Sequence, residues 1–321
     1  MGLTRPLMAC YHPMKAEPNG FGANGNVIYK ITGEYLGFKD YKDIIVPCGR
    51  CIGCRLDYSR EWADRMILEL DYSKTALFLT LTYDDISVPR SDLGFMTLNT
   101  KHMDNFVRRL RRRFSEKEIR YFYSGEYGDT TFRPHYHGIF FGLDLDDIED
   151  LVFYKNNRDG DSLYTSVSLS ELWSFGYVVV GRVTWHSCAY TARYVLKKLT
   201  GDWSKLYDEK GIIPPYSRSS RRPGIGGHFI EDHPELVGKS ISVSDPDIRR
   251  KIMRVKTPSY LMEKLDSINP ELYNSIKQER LRLARDSDFL ELQQTDHMYG
   301  DYLTVKENYA MSSMRSFRSK I

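Results

Sequence analysis

His135 and His137 stand one residue apart in Arg133-Pro-His-Tyr-His-Gly138, and some fifty residues downstream Tyr190 and Tyr194 stand four apart in Ser187-Cys-Ala-Tyr-Thr-Ala-Arg-Tyr-Val-Leu-Lys-Lys198. Alternate residues of a strand leave the same face, so a His-x-His pair on a strand presents two imidazoles side by side, a simple grip for a cation. Residues four apart on a helix share a face, which would line up both phenols with Lys198 and put Lys197 three residues beyond Tyr194. A phenol titrates near pH 10 and is a poor nucleophile until a cation stabilises its phenolate, and Lys197 and Lys198 are placed to do so. Two imidazoles are only part of a coordination shell. Glu126, nine residues before His135, offers the missing carboxylate, with Asp129 in the intervening loop as its competitor. Carboxylate, imidazole and phosphate oxygen together suit Mg2+ or Mn2+, Mn2+ being the better match to imidazole. Phosphodiester exchange needs this combination, charge neutralisation on the phosphate and a nucleophile held in line. Taken singly, a His-x-His pair is more often structural and a tyrosine pair more often packing. Their joint occurrence with Lys197 is what favours chemistry.

A second cluster is Cys48-x-x-Cys51-x-x-Cys54, preceded by Cys10 in Ala9-Cys-Tyr-His12. In a reducing compartment four such thiols suggest a tetrahedral zinc site rather than disulfides, with His12 as a substitute ligand. Unmetallated packing cysteines and an iron–sulfur cluster are the other readings. Cys188, beside the tyrosines, reads as a small buried residue.

The elements that would position these residues can be read from periodicity. Thr75 to Tyr83 is a compact run of Leu, Phe and Thr that reads as a buried strand, and Met103, Phe106, Val107, Leu110 and Phe114 recur at helical spacing behind an Asn99 or Thr100 cap. Residues 118 to 126 and 135 to 142 read as a hairpin, Ser168 to Trp173 as a short helix, and Gly176 to Val183 as a β-branched strand leading into the tyrosine segment. The acidic stretch Asp144 to Asp150 opens a variable excursion. The order is β-α-β-β-α-β and then a helix, an α+β fold with an antiparallel sheet. Tyr58 to Tyr72 suggests an amphipathic helix, residues 1 to 47 loops and short strands, and 201 to 227 a loop-rich stretch. Helices are expected around Pro246 to Arg254 and from Pro258 to about Glu291. The organisation expected is a cysteine-containing segment packed on the core over 1–74, a core over 75–200, and a basic loop with a helical extension over 201–321.

A chain of 321 residues can bury one large core or two modest ones. No run of eighteen apolar residues occurs, and Met1-Gly-Leu-Thr-Arg-Pro lacks the apolar core of a signal peptide, so a soluble cytoplasmic protein with no membrane partner is expected. The net charge of +3 says little about nucleic acid, but the cations are grouped at Arg108 to Arg113, Arg193 to Lys198 and Arg218 to Arg222. A solvated face would explain any one group, and three groups around a phosphate-chemistry motif favour DNA contact through Arg193, Lys198, Arg221 and Arg222. Gly238-Lys-Ser240 is no phosphate loop, because His233 occupies the position that needs glycine.

Phe78-Leu-Thr-Leu-Thr-Tyr83, Pro134-His-Tyr-His-Gly138 and Tyr190-Thr-Ala-Arg-Tyr-Val-Leu-Lys197 follow the order of three motifs of the HUH endonucleases, and the chain resembles the two-tyrosine rolling-circle replication initiators of small microvirus-like single-stranded DNA phages. The stretches Pro47 to Arg55 and Ser219 to Gly226 resemble the same group. The resemblance implies a ferredoxin-like core with βαββαβ order and a tyrosine-bearing helix. It also implies a mechanism in which one tyrosine cleaves the origin strand, becomes joined to the 5′ phosphate and leaves a 3′ hydroxyl for a host polymerase. The second tyrosine acts when the origin is regenerated, releasing a circle. Because the covalent link conserves the phosphodiester energy, no ATP is needed for rejoining, and unwinding would fall to a host helicase. A non-catalytic single-stranded nucleic-acid-binding protein, with Tyr121, Tyr123 and Phe140 stacking on bases, and a mobilisation or transposition nickase are the competing readings.

Overall fold

The computed structural model describes residues 10–21, 27–35, 44–128, 130–157, 160–184, 187–188, 191–192, 202–238, 240–244 and 252–319. In chain order, the elements begin with β1 (Met14–Phe21), β2 (Val27–Glu34), β3 (Ile44–Val46), α1 (Ile52–Ser73), β4 (Ala76–Tyr83), α2 (Thr100–Arg113), β5 (Arg120–Tyr127) and β6 (Pro134–Phe141). Then come β7 (Val152–Asn156), β8 (Ser162–Thr165), α3 (Val167–Trp173), β9 (Gly176–Arg182), α4 (Asp202–Glu209), β10 (Tyr216–Ser219) and α5 (Gly227–Asp232). The last are β11 (Ser240–Ser244), β12 (Ile252–Lys256), α6 (Ser259–Ile268), α7 (Pro270–Leu292) and α8 (Tyr299–Ser319). Two compact units result, one formed by Met1–Tyr58 with Ile268–Ile321, the other by Ser59–Ser267.

The larger unit is built on a seven-stranded antiparallel sheet in the order β10-β5-β6-β4-β9-β8-β7. β4 shows why the sheet has two unlike faces: Leu77, Leu79, Leu81 and Tyr83 are buried while Phe78, Thr80 and Thr82 between them are only partly so. The leucine face packs under Met103, Phe106, Val107 and Leu110 of α2 and Leu169 and Trp173 of α3, an amphipathic stripe meeting a two-residue repeat. Asn99 caps α2, its side chain accepting from the amides of Lys101 and His102. On the other face α1 covers one end of β5, where Trp62 meets Phe122 with ring centroids 4.5 Å apart and Arg120 forms a buried ion pair with Glu69. The opposite end of that face is left for the histidines.

The α+β class, the antiparallel sheet and the β4-α2-β5-β6-α3-β9 order agree with expectation. The excursion after Asp144 is the β7–β8 hairpin, which extends the sheet beyond β9. Three expectations fail. Residues 252–254 belong to a strand, not a helix, because Ile252-Met-Arg-Val-Lys256 pairs with β11 through its whole length. The helix expected over 258–291 is two, broken at Asn269-Pro270, where proline opens α7 and Asn269 accepts from the Leu272 amide. The stretch 201–227 carries α4 and, in β10, the strand that closes the edge of β5.

The smaller unit holds the antiparallel sheet β2-β1-β3, the start of α1, and the helices α7 and α8. Tyr35, Tyr299, Tyr302 and Leu303 form its buried cluster. His12 sits between two carboxylates, 2.8 Å from Glu34 and 2.7 Å from Glu307.

Candidate active site

The hairpin β5–β6 sets the site by register alone. Glu126 lies opposite His135, Ser124 opposite His137, and Gly125 opposite Tyr136. Tyr136, between the histidines, points into the core, where its hydroxyl donates to the Asn99 carbonyl at 2.9 Å and accepts from the Asn99 amide at 2.8 Å. A one-residue slip would turn both imidazoles into the apolar core and this ring onto the opposite face, so packing at Tyr136 fixes the face on which the histidines stand.

On that face the Glu126 carboxylate oxygen Oε1 is 3.0 Å from Nε2 of His135 and 2.9 Å from Nε2 of His137. Each imidazole is held from behind. Nδ1 of His135 donates to the Arg133 carbonyl at 3.1 Å, and Nδ1 of His137 lies 3.0 Å from the Thr80 hydroxyl, Thr80 being its cross-strand partner on β4. With Nδ1 so engaged, an imidazole in its neutral form would turn its Nε2 lone pair toward the carboxylate oxygen, a contact that calls for a cation or a proton between the two. Glu126 is 1% exposed, and among the described residues its second oxygen, Oε2, has no hydrogen-bond partner. Burial pushes the Glu126 carboxyl up, but hydrogen bonds from the two histidines outweigh burial and hold it below the ordinary carboxylate range. Burial holds the His137 imidazole below its ordinary value, against the pull of Glu126 and with the help of His135. An ionised carboxylate beside a neutral imidazole is the donor set a divalent cation takes. Adjacent ligands of an octahedral ion at ~2.1 Å stand ~3 Å apart, which the two measured separations match.

The cysteines form a second set, within the smaller unit. Sγ of Cys51 is 3.9 Å from that of Cys10 and 3.6 Å from that of Cys54, and Cys48 and Cys54 are 4.0 Å apart. A tetrahedral zinc with Zn–S near 2.3 Å sets its sulfurs ~3.8 Å apart. Backbone amides aim at the sulfurs, those of Cys48 at Cys10 and of Arg50 and Cys51 at Cys48, as they would at thiolates. His12 is engaged by its two glutamates.

The remaining site residues fall in two groups. Tyr190, Arg193, Tyr194, Lys197 and Lys198, with Asp129, lie outside the described residues. Ser187, Cys188, Thr191 and Ala192 around them are helical, Thr184 and Ser187 exchange amide-to-hydroxyl bonds of 2.8 and 3.0 Å as at a helix start, and Cys188 is buried. Arg221 and Arg222 are exposed and, with Arg111, Lys117 and Arg218, line an open basin of about 890 Å³ at the β10 edge. Tyr123 and Phe140 do not stack on bases. Both are fully buried under α2, and Tyr121 is packed against the same core. Sequence reasoning missed Thr80; the signal was its position in a threonine-alternating strand, whose polar residues had to face something polar.

Residues 76–199 match the model of the family described as Replication-associated protein ORF2/G2P, a span that takes in both motifs. The chain is 33% identical over 306 residues to Replication-associated protein ORF2 of Spiroplasma virus 4, covering 92% of this chain and 93% of that protein. It is 34% identical over 238 residues to Replication-associated protein VP4 of Bdellovibrio phage phiMH2K, covering 71% and 69%. Over 178 residues it is 35% identical to Replication-associated protein ORF4 of Chlamydia phage 1, covering 54% and 43%. No solved structure matches the chain. With a match to the Spiroplasma virus protein that runs almost end to end in both chains, this chain belongs to the family of phage replication-associated proteins.

Proposed function

We propose that the protein initiates rolling-circle replication by nicking the phage origin strand and later rejoining it, acting as a metal-dependent endonuclease and strand transferase in the cytoplasm of a bacterial host. The observation that carries this reading is the convergence of Glu126, His135 and His137 on one point, with imidazoles anchored from behind and Oε2 of the buried carboxylate unsatisfied. Glu126, His135 and His137 would hold Mg2+ or Mn2+, which when bound neutralises charge on the scissile phosphate. Tyr190 and Tyr194 are the nucleophiles. The phenolate oxygen of one attacks phosphorus, the bond to the 3′ oxygen breaks, and that oxygen leaves as a hydroxyl after taking a proton. In the closing step a 3′ hydroxyl attacks the phosphotyrosine and the phenol is returned. Lys197 stabilises the phenolate, while Arg193, Lys198, Arg221 and Arg222 contact the DNA backbone. A host polymerase extends the free 3′ end and a host helicase unwinds ahead of it. No described helix is long and apolar enough to cross a membrane.

The test is mass spectrometry of the product formed with single-stranded origin DNA and Mn2+. A 5′-phosphotyrosyl peptide containing Tyr190 or Tyr194 is expected. An adduct that survives the double change Tyr190→Phe, Tyr194→Phe, or nicking that persists in chelator, refutes the assignment.

Cys10, Cys48, Cys51 and Cys54 are proposed as a structural Zn2+ site, on the strength of sulfur spacings that fit a tetrahedron. Elemental analysis of the full chain should find zinc that the double change His135→Ala, His137→Ala keeps and Cys51→Ser loses. Folded, zinc-free protein would refute it.

A further inference from the structure

The register of the sheet lines up four residues in one row across four strands, Tyr177 on β9, Thr82 on β4, His135 on β6 and Glu126 on β5. All four belong to the face that α2 and α3 leave uncovered, since Val178 and Val180 beside Tyr177 are buried while Tyr177 is 66% exposed. Phe153 and Tyr154 of the edge strand β7 are exposed too, but on the inner strands β4, β5 and β6 Tyr83, Tyr123, Tyr136 and Phe140 turn into the core. Tyr177 instead stands in solvent, at the outer end of the row that holds two of the three candidate cation ligands. Leaving so large an apolar ring in water forgoes the stabilisation of burying it.

Between the ring and His135 stands the short side chain of Thr82, with Thr80 beside it one row along. Two strand spacings of ~4.8 Å separate the backbones of Tyr177 and His135, a gap of ~10 Å that a flat ring can enter. The tyrosine is also firmly placed. Gly176 holds φ at +147°, and a Cβ there would collide with the Thr82 carbonyl and the Asp84 amide, while that amide donates to the Phe175 carbonyl at 2.9 Å. The glycine therefore clamps the start of β9 against the end of β4, and the next residue inherits a fixed position.

We propose that Tyr177 is a stacking platform for an unpaired nucleobase of the DNA strand whose phosphate lies at the Glu126–His135–His137 centre. The inference rests on the nickase reading for its ligand. A single strand held by its phosphate at the cation must put its neighbouring bases somewhere, and an exposed phenol ring in the same row offers a flat, uncharged face. Stacking of a base on an aromatic side chain is sequence-tolerant, and removing the ring weakens affinity about 5- to 100-fold.

The experiment compares full-length wild type, Tyr177→Ala and Tyr177→Phe for binding to fluorescent oligothymidylate and to an abasic oligonucleotide of equal length, by anisotropy in Mn2+. Tyr177→Ala should bind oligothymidylate about 5- to 100-fold more weakly, Tyr177→Phe within about twofold of wild type, and all three should bind the abasic strand alike. Unchanged binding of Tyr177→Ala, an equal loss on the abasic strand, or a wild type indifferent to bases overturns the proposal. Melting temperature, read in parallel, should not move, because the side chain is solvent-facing. Covalent adduct formation in Mn2+ is scored separately. Failure of the adduct with base-dependent binding intact would reject the nickase reading and leave the platform standing.

Discussion

Glu126→Gln is the most direct probe of the cation site. The substitution keeps the shape of a side chain that is 1% exposed and removes the one charge that faces Nε2 of both histidines at 3.0 and 2.9 Å. Loss of an outer-shell partner alone typically weakens a metal site 10- to 100-fold, so loss of a direct anionic ligand should weaken Mn2+ binding by at least about 100-fold. At Mn2+ a hundredfold above the wild-type Kd, binding stabilises the folded protein by about 2.7 kcal/mol; a variant with hundredfold weaker affinity gains only about 0.4 kcal/mol. For a unit of this size those gains correspond to rises in Tm of about 5–11 °C and about 1–2 °C. The assay is a thermal melt of each protein with chelator and with Mn2+, comparing the rise within each protein so that any change in the metal-free state cancels. Asp129→Asn, which removes the other carboxylate of the hairpin loop, should keep the full rise. A Glu126→Gln protein that retains the wild-type rise, or an Asp129→Asn protein that loses it, would show that the buried carboxylate is not the ligand.

Thr80→Val removes the hydroxyl 3.0 Å from Nδ1 of His137 and should cost 10- to 100-fold in Mn2+ affinity by calorimetry, with little change in fold. Gly176→Ala forces a Cβ into the Thr82 carbonyl and the Asp84 amide at a positive φ, and should lower stability by about 2 kcal/mol or more in denaturant melts. His137 is kept neutral by burial, so the stability it contributes is fully present above the unfolded imidazole value of about 6.5 and is lost as pH falls toward its depressed folded value. Metal-free wild type should therefore melt lower at pH 5.5 than at pH 7.5, and His137→Asn should flatten that slope.

The site was legible where chemistry and periodicity coincide. A His-x-His pair fixes its own face once the strand is recognised, and a hairpin with its turn between Tyr127 and Pro134 leaves Glu126 directly opposite His135. What could not be read was which face of the sheet would be covered. Tyr121 and Tyr123 alternate as a base-stacking pair might, yet their side of β5 is the one α2 and α3 cover, where Phe106 and Trp173 join the same buried cluster. Long-range pairings were equally hidden. Tyr216-Ser-Arg-Ser219 has no apolar alternation to mark it as a strand, and its partner, β5, lies some ninety residues upstream. The start of β12 reads as the end of a helix because five residues are too few for a two-residue repeat to outweigh a helical reading.

The strand that closes β5 has a consequence for how the molecule comes into being. Glu126 sits on β5, and the outer edge of β5 is sealed by β10, reinforced where Arg120 donates to the Pro223 carbonyl at 2.8 Å and the Gly226 amide donates to Glu69 at 2.7 Å. During synthesis both motifs leave the ribosome before residues 216–219 do, and until these arrive the carboxylate-bearing strand has a bare rim of amides and carbonyls. A product cut off near residue 199, where the family match ends, would keep every proposed catalytic residue and still carry that rim as an invitation to self-association. The chain thus completes its sheet only after its chemistry has been translated.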